Sequence, residues 1–169
     1  MKQIEQLPVS FDLADGHVGV TVRGADAAST VVIRRIGEVE VAKHVPIGTR
    51  RREHLEIVID GETARLRPGP GRWSRGSYKV RVVHGGVTYL LRPKSPDTSR
   101  LTRDGVRLGD FELRGGSDGD VRVTWHDDAE VRATDAAVGY AVSAAFGTGA
   151  QFMLLALLGM LDDGVPGPG

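Results

Sequence analysis

Ala136-Ala-Val-Gly-Tyr-Ala-Val-Ser-Ala-Ala-Phe-Gly-Thr-Gly-Ala-Gln-Phe-Met-Leu-Leu-Ala-Leu-Leu-Gly-Met-Leu161 runs for 26 residues without a charged side chain. A stretch this long and apolar either spans a bilayer or is buried on nearly every side by protein. As one continuous helix it would reach about 39 Å, longer than the ~30 Å hydrocarbon core. Gly147-Thr148-Gly149 interrupts it, and each glycine weakens a helix by about 1 kcal/mol relative to alanine. Arg132 is the one nearby cation, and Asp162-Asp163 closes the far end. These flanks favour a buried helix over a C-terminal tail anchor, which stands as the alternative. Thr134 or Asp135 can cap the start. Gly139, Ser143 and Gly147 fall four apart, a stripe of small residues that lets another backbone approach.

Upstream the pattern is different. Asp15-Gly16, Asp60-Gly61, Gly85-Gly86 and Asp104-Gly105 sit between short alternating runs, the strongest local signal for β-hairpins. The runs are Phe11–Asp15, Val18–Arg23, Val31–Ile36, Val39–Lys43, Leu55–Asp60, Thr63–Arg67, Tyr78–Val83, Val87–Arg92, Leu101–Arg103, Val106–Leu113 and Val121–Trp125. Val18, Val20 and Val22 share one face, as do Tyr78, Val80 and Val82, with Lys79 and Arg81 opposite. The spacing predicts about twelve antiparallel strands, and so many strands tend to curl or close. The expected fold is mainly β with one hydrophobic C-terminal helix: an antiparallel barrel, or a strongly curled sheet, around the buried helix. A closed sheet of that size leaves an interior to fill, and the helix would fill it. Residues 1–164 are expected to form one domain with a central helix over 135–161, and 165–169 a flexible tail. Pro68-Gly69-Pro70-Gly71 reads as a rigid loop inside the ladder.

Composition narrows the chemistry. Among 169 residues there are 23 glycines and no cysteine, so a disulfide framework, a thiolate nucleophile and Cys-ligated zinc are excluded. The first residues lack the apolar core of a secretory signal, and a cytoplasmic protein, peripheral to the membrane at most, is expected. The net charge is zero but unevenly spread. Residues 31–103 hold 16 Lys and Arg against 7 Asp and Glu, and the remainder holds 6 against 15. Either sheet neighbours from the two regions neutralise each other, or a basic face remains for an anionic partner.

A strand ladder of about twelve, followed by one unusually hydrophobic helix, resembles the tubby-like C-terminal barrel. That superfamily holds tubby proteins, phospholipid scramblases and LURP-one-related proteins. The helix Asp135-Ala136-Ala137-Val138-Gly139-Tyr140-Ala141 through Phe146-Gly147-Thr148-Gly149-Ala150, directly after Val121–Trp125, carries the likeness. The resemblance implies a barrel around a central helix and, in some members, phosphoinositide binding or lipid translocation. This chain departs from scramblases in having no cysteine cluster for palmitoylation and no clear calcium loop.

Two basic loops are the candidate ligand site: Arg50-Arg51-Arg52 beside His54, and Arg72-Trp73-Ser74-Arg75. Guanidiniums can clamp phosphates bidentately, and a tryptophan between arginines suits a membrane interface or a stacked base. Together Arg50, Arg51, Arg52, Arg72, Trp73 and Arg75 form one anion site only if the loops share one end of the fold. Asp118 and Asp120, with Asp127, Asp128 and Glu130, form an acidic pole whose spacing matches no EF-hand. The histidines show no zincin spacing, Ser74 misses the nucleophile-elbow register by one position, and neither a dinucleotide fingerprint nor a P-loop is present. The expectation is therefore no enzyme, no cofactor and no metal, but a binding or scaffold protein whose basic loops contact anionic lipid headgroups or another phosphate-bearing polyanion. A protein–protein interaction subunit, docking partners or copies of itself through its charged poles, is the second reading. Nucleic acid is disfavoured, because the whole chain is neutral and Trp73 is its one aromatic–basic cluster.

Overall fold

Short alternating runs joined by two-residue turns can pair only with their sequence neighbours, and the sheet is built that way. A computed structural model describes residues 7–71, 75–113 and 121–148. Among these residues ten strands form one antiparallel sheet in sequence order. They are β1 (Val9–Ala14), β2 (His17–Arg23), β3 (Ala28–Arg35), β4 (Leu55–Ile59), β5 (Glu62–Pro68), β6 (Val80–His84), β7 (Val87–Pro93), β8 (Thr98–Arg103), β9 (Val106–Leu113) and β10 (Val121–Trp125). The helix α1 (Ala133–Phe146) follows. At Asp60-Gly61, Gly85-Gly86 and Asp104-Gly105 both turn residues have positive φ, the geometry that matches the right-handed twist of the flanking strands.

Of the eleven runs picked out by alternation, ten form strands among the described residues, and the one that does not is Val39–Lys43. Its alternation is real, but β3 pairs directly with β4, from Val31↔Ile59 to Arg35↔Leu55, and leaves no sheet edge for a strand between them. The link folds on itself instead, with Ala42 N–H donating to Gly48 O (2.7 Å) and Gly48 N–H to Val45 O (2.8 Å). Val41 stays half exposed. The closed barrel is corrected as well. Among the described residues β1 and β10 do not pair, so the sheet is open rather than closed. Tyr140 of α1 stands between the two margins. Its ring meets Phe11 of β1 edge-on at 5.9 Å and Phe111 of β9 at 5.4 Å, and Phe111 meets Trp125 of β10 at 5.5 Å. Side chains, rather than a hydrogen-bond ladder, link the margins.

The inner face of the sheet and nearly every face of α1 form one core. Val18, Val20 and Val22 are buried as their alternation predicts, with Val31, Ile33, Ile57, Ile59, Leu101 and Phe111 on neighbouring strands. From the helix, Ala136, Ala137, Val138, Ala141, Val142, Ala145 and Phe146 join them. The helix lies chiefly against β2 and β3 and more lightly against β7 and β9. Gly139 permits this closeness, because a Cβ there would sit 2.3 Å from Cζ of Phe111. The helix begins at Ala133, so neither Thr134 nor Asp135 is its N-cap. Asp135 instead reaches back from the third helical position and accepts the Arg132 N–H at 2.9 Å. The helix stops at Gly147, whose φ is 84°. Residues 149–161 of the expected helix lie outside the described residues. No helix among the described residues is long and apolar enough to cross a membrane.

Candidate functional site

Antiparallel order gives the sheet two distinct ends. The β2–β3, β4–β5, β6–β7 and β8–β9 turns lie at the end where α1 begins, because Tyr89 and Arg103 there meet Asp135. Asp135 is fully buried. Its carboxylate accepts the Tyr89 hydroxyl at 2.7 Å and a short hydrogen bond from the Arg103 guanidinium. Burial, then the Asp135 hydrogen bond and charge, raise the Tyr89 phenol well above its ordinary value. Every group in this network has a partner inside the fold, so it anchors the start of α1 to β7 and β8.

The link 36–54 and residues 69–71 and 75–79 lie at the opposite end, beside the helix C-terminus. Arg50 belongs to that junction rather than to solvent. Its guanidinium stacks 5.1 Å from the Tyr78 ring centroid and 5.6 Å from that of Phe146. It donates to Gly69 O at 3.3 Å and Phe146 O at 3.4 Å. Desolvation pushes its pKa down to about 10, so it stays charged at neutral pH. A cation on the last carbonyls of a helix complements both the unsatisfied oxygens and the helix dipole. Gly71 leaves room for it, since a Cβ there would approach Arg50 Cδ to 2.9 Å, and Ile47 N–H adds a bond to Ala145 O at 3.0 Å. Arg50 is thus occupied in tying the first loop to Gly69, Tyr78 and the end of α1.

The other predicted residues divide. Arg51 is exposed and pairs with Glu53 at 3.0 Å. Arg52 is exposed and begins the short 3₁₀ turn Arg52–His54. Arg75 begins a second such turn, Arg75–Tyr78. Arg72, Trp73 and Ser74 lie outside the described residues, as do Asp118 and Asp120. Asp127, Asp128 and Glu130 are exposed in the segment after β10, where Asp128 N–H donates to His126 Nδ1 at 3.3 Å.

Cations that sequence reasoning did not single out stand beside Arg52. Strands β4 and β5 pair only from Ile57↔Ala64 to Ile59↔Glu62 and then diverge. The divergence opens a shallow groove of about 340 Å³ lined by Arg52, Glu53, Leu55, Ala64, Arg65, Leu66 and Arg67. Arg65 and Arg67 project from the outer face of β5, opposite buried Leu66. Arg67 is directly opposed to Arg81 of β6, and both are exposed. Like charges facing one another across a ladder are destabilising. The neighbouring carboxylates do not relieve this pair: Glu53 is held by Arg51 (3.0 Å), Glu56 by Arg34 (2.9 Å) and Glu62 by His84 (3.0 Å). Among the described residues Arg52, Arg65, Arg67, Arg81 and Arg92 have no ion-pair partner.

Both readings of the charge asymmetry have a place in this geometry. Arg35–Asp15 (3.0 Å), Lys94–Asp110 (2.9 Å), Arg100–Asp110 (2.9 Å) and Arg103–Asp135 join the basic region to the acidic one. The β5–β6 outer face lies outside that neutralisation. The alternation of β5 placed Arg65 and Arg67 on one face, but which strand opposed them, and which acids were already engaged, are properties of the register. The chain matches no family model, no curated protein and no solved structure.

Proposed function

We propose that the protein is a non-catalytic binding protein that contacts a polyanion, either anionic lipid headgroups or another phosphate-bearing partner. One observation carries this reading: among the described residues Arg52, Arg65, Arg67 and Arg81 stand exposed and without ion pairs, while Glu53 and Glu56 are held by other arginines and Glu62 by the His84 ring. An unneutralised basic surface attracts anions over about a Debye length, and that attraction falls with salt. A tubby-like layout is consistent with the reading, since the helix lies within a curled sheet and polar groups are left to its outer surface. The test is retention on immobilised heparin and on phosphatidylserine vesicles across a salt series. Wild type should elute progressively earlier as salt rises, and Arg65→Gln combined with Arg81→Gln should shift elution to markedly lower salt. Salt-independent retention, or none at low salt, would refute it.

A second reading has its own observation. The end where α1 begins carries exposed Asp26, Asp60, Glu62, Asp104 and Asp128, opposite in sign to the β5–β6 face. Such poles suit docking to another protein or a second copy. Size-exclusion mass at low and high salt separates the readings, since self-association would give a heavier species at low salt alone.

A further inference from the structure

The groove between β4 and β5 is more specific than a basic surface. We propose that it is a binding site for a phosphomonoester dianion, seated between Arg52 on one wall and Arg65 and Arg67 on the other. The proposal rests on the polyanion reading above and names the place and the ligand chemistry.

Charge balance comes first. The lining holds three guanidiniums and one carboxylate, Glu53, which is itself held by Arg51 at 3.0 Å. That residual positive charge suits a doubly charged anion better than a neutral or singly charged ligand. Shape is the second ground. The walls come from separate elements, a 3₁₀ turn and a strand, and they are apart because β4–β5 pairing stops at Ile57↔Ala64. Guanidiniums on both walls can each present a bidentate fork to one tetrahedral group, which a row of lysines could not. The floor is the third ground. Leu55, Ala64 and Leu66 are apolar, with Leu55 and Leu66 buried, so carbon attached to the phosphate would meet hydrocarbon. The volume of about 340 Å³ lies at the lower end of the range for small-ligand sites. Finally, the Arg67–Arg81 opposition is an unfavourable feature of the empty fold that a bound dianion would relieve.

The experiment uses the full chain with inorganic phosphate and glycerol 3-phosphate as soluble probes. Vesicles of phosphatidylcholine with phosphatidic acid supply the same chemistry on a membrane. Binding is read by calorimetry and by amide shifts. Saturable binding is expected, with shifts at Leu55, Ala64 and Leu66, competition by sulfate and none by chloride. Arg52→Gln, Arg65→Gln and Arg67→Gln should each weaken binding about tenfold, the loss of one charge-assisted contact. Arg92→Gln, outside the groove, should leave it unchanged. Should a glutamine variant unfold, the Arg→Lys variants keep the charge and lose the fork, and a partial loss at the same three positions gives the same answer. Binding of the soluble esters alone assigns a soluble ligand, and binding of the vesicles as well assigns a headgroup. Heparin retention without phosphate-dependent shifts, or equal losses from Arg92→Gln, would overturn the groove and leave the polyanion reading standing. Loss of heparin retention too would overturn both.

Discussion

Gly139→Ala sets two effects of known sign against each other. In an exposed helix, alanine would be favoured over glycine by about 1 kcal/mol. At this position the added Cβ would lie 2.3 Å from Phe111 Cζ, 2.9 Å from Cε2 and 3.0 Å from Leu101 Cδ2. Carbon atoms rest about 3.5–4.0 Å apart, so the Phe111 ring must withdraw by more than about 1 Å. It has nowhere to go. Phe111 is fully buried and boxed edge-on by Trp125 and Tyr140 at 5.5 and 5.4 Å. A displacement this large in a filled core belongs to the upper part of the overpacking range, about 2–3 kcal/mol, which outweighs the helical gain. The expected result is a net loss of about 1–2 kcal/mol, or roughly 2–8 °C in Tm for a chain of this size. Urea unfolding should show a lower midpoint with an unchanged slope. A variant as stable as wild type would refute the packing argument. Phe111→Leu removes the end of the ring that clashes, so in that background Gly139→Ala should become neutral or favourable, with a coupling of about 1 kcal/mol or more.

Four further outcomes follow from the polar contacts of α1 and the sheet. Asp135→Ala leaves Arg103 and Tyr89 without their shared partner and should destabilise by about 3–5 kcal/mol in chemical denaturation. Because the folded state holds the Tyr89 phenol neutral, stability should fall as pH rises past its ordinary value of 10.0, with its ionisation appearing only on unfolding in a spectrophotometric titration. Arg50→Lys keeps a positive charge but cannot reach both Gly69 O and Phe146 O with a fork, so it should cost about 1–2 kcal/mol and increase amide exchange at Ala145 and Phe146. Burial raises the Asp110 carboxyl, but Arg100 and Lys94 outweigh it and hold its pKa below the ordinary value of 3.8. Its contribution is therefore complete above that value and lost as pH falls through the lowered one, so the stability gap between wild type and Asp110→Asn should close in acid.

Period-two alternation made the ladder legible, because it is written locally. Val18, Val20, Val22, Val80, Val82 and Val123 are all buried where the alternation put them. The same signal misled at Val39–Lys43, since alternation reports a strand's faces and not whether a sheet edge is free to receive it. Helix burial was legible from the absence of charge over Ala136–Phe146, whereas the cap was not. Asp135 is drawn to the third position by partners 46 and 32 residues away, Tyr89 and Arg103, which no local rule contains. Local pattern was equally silent about how the arginines of the first loop would be used. A run of three arginines looks uniform in sequence, yet the fold sends Arg50 under Tyr78, pairs Arg51 with Glu53 and leaves Arg52 exposed. Its neighbours Arg65 and Arg67 come from another strand.

The position of α1 bears on where function can reside. A small curled sheet can hold a ligand in its middle only if that middle is empty. Here Ala137, Val138, Ala141, Val142 and Phe146 occupy it, buried against β2 and β3. The polar side chain of Asp135 that enters it is satisfied by protein partners. Chemistry directed at another molecule is thereby displaced to the outer face and the two ends. On that face part of the charge is neutralised by ladder neighbours: Asp110 draws in Lys94, Arg100 and Arg107, and Glu56 pairs with Arg34. Neutralisation lapses where β4 and β5 diverge, because divergence separates Arg65 from Glu56, which continued pairing would have placed opposite it. A break in the ladder thus does two things at once: it opens a groove and leaves its arginines without carboxylates. A single stabilising change should undo both, since extending β4–β5 pairing would bring Glu56 to Arg65 and close the space in which an anion could sit.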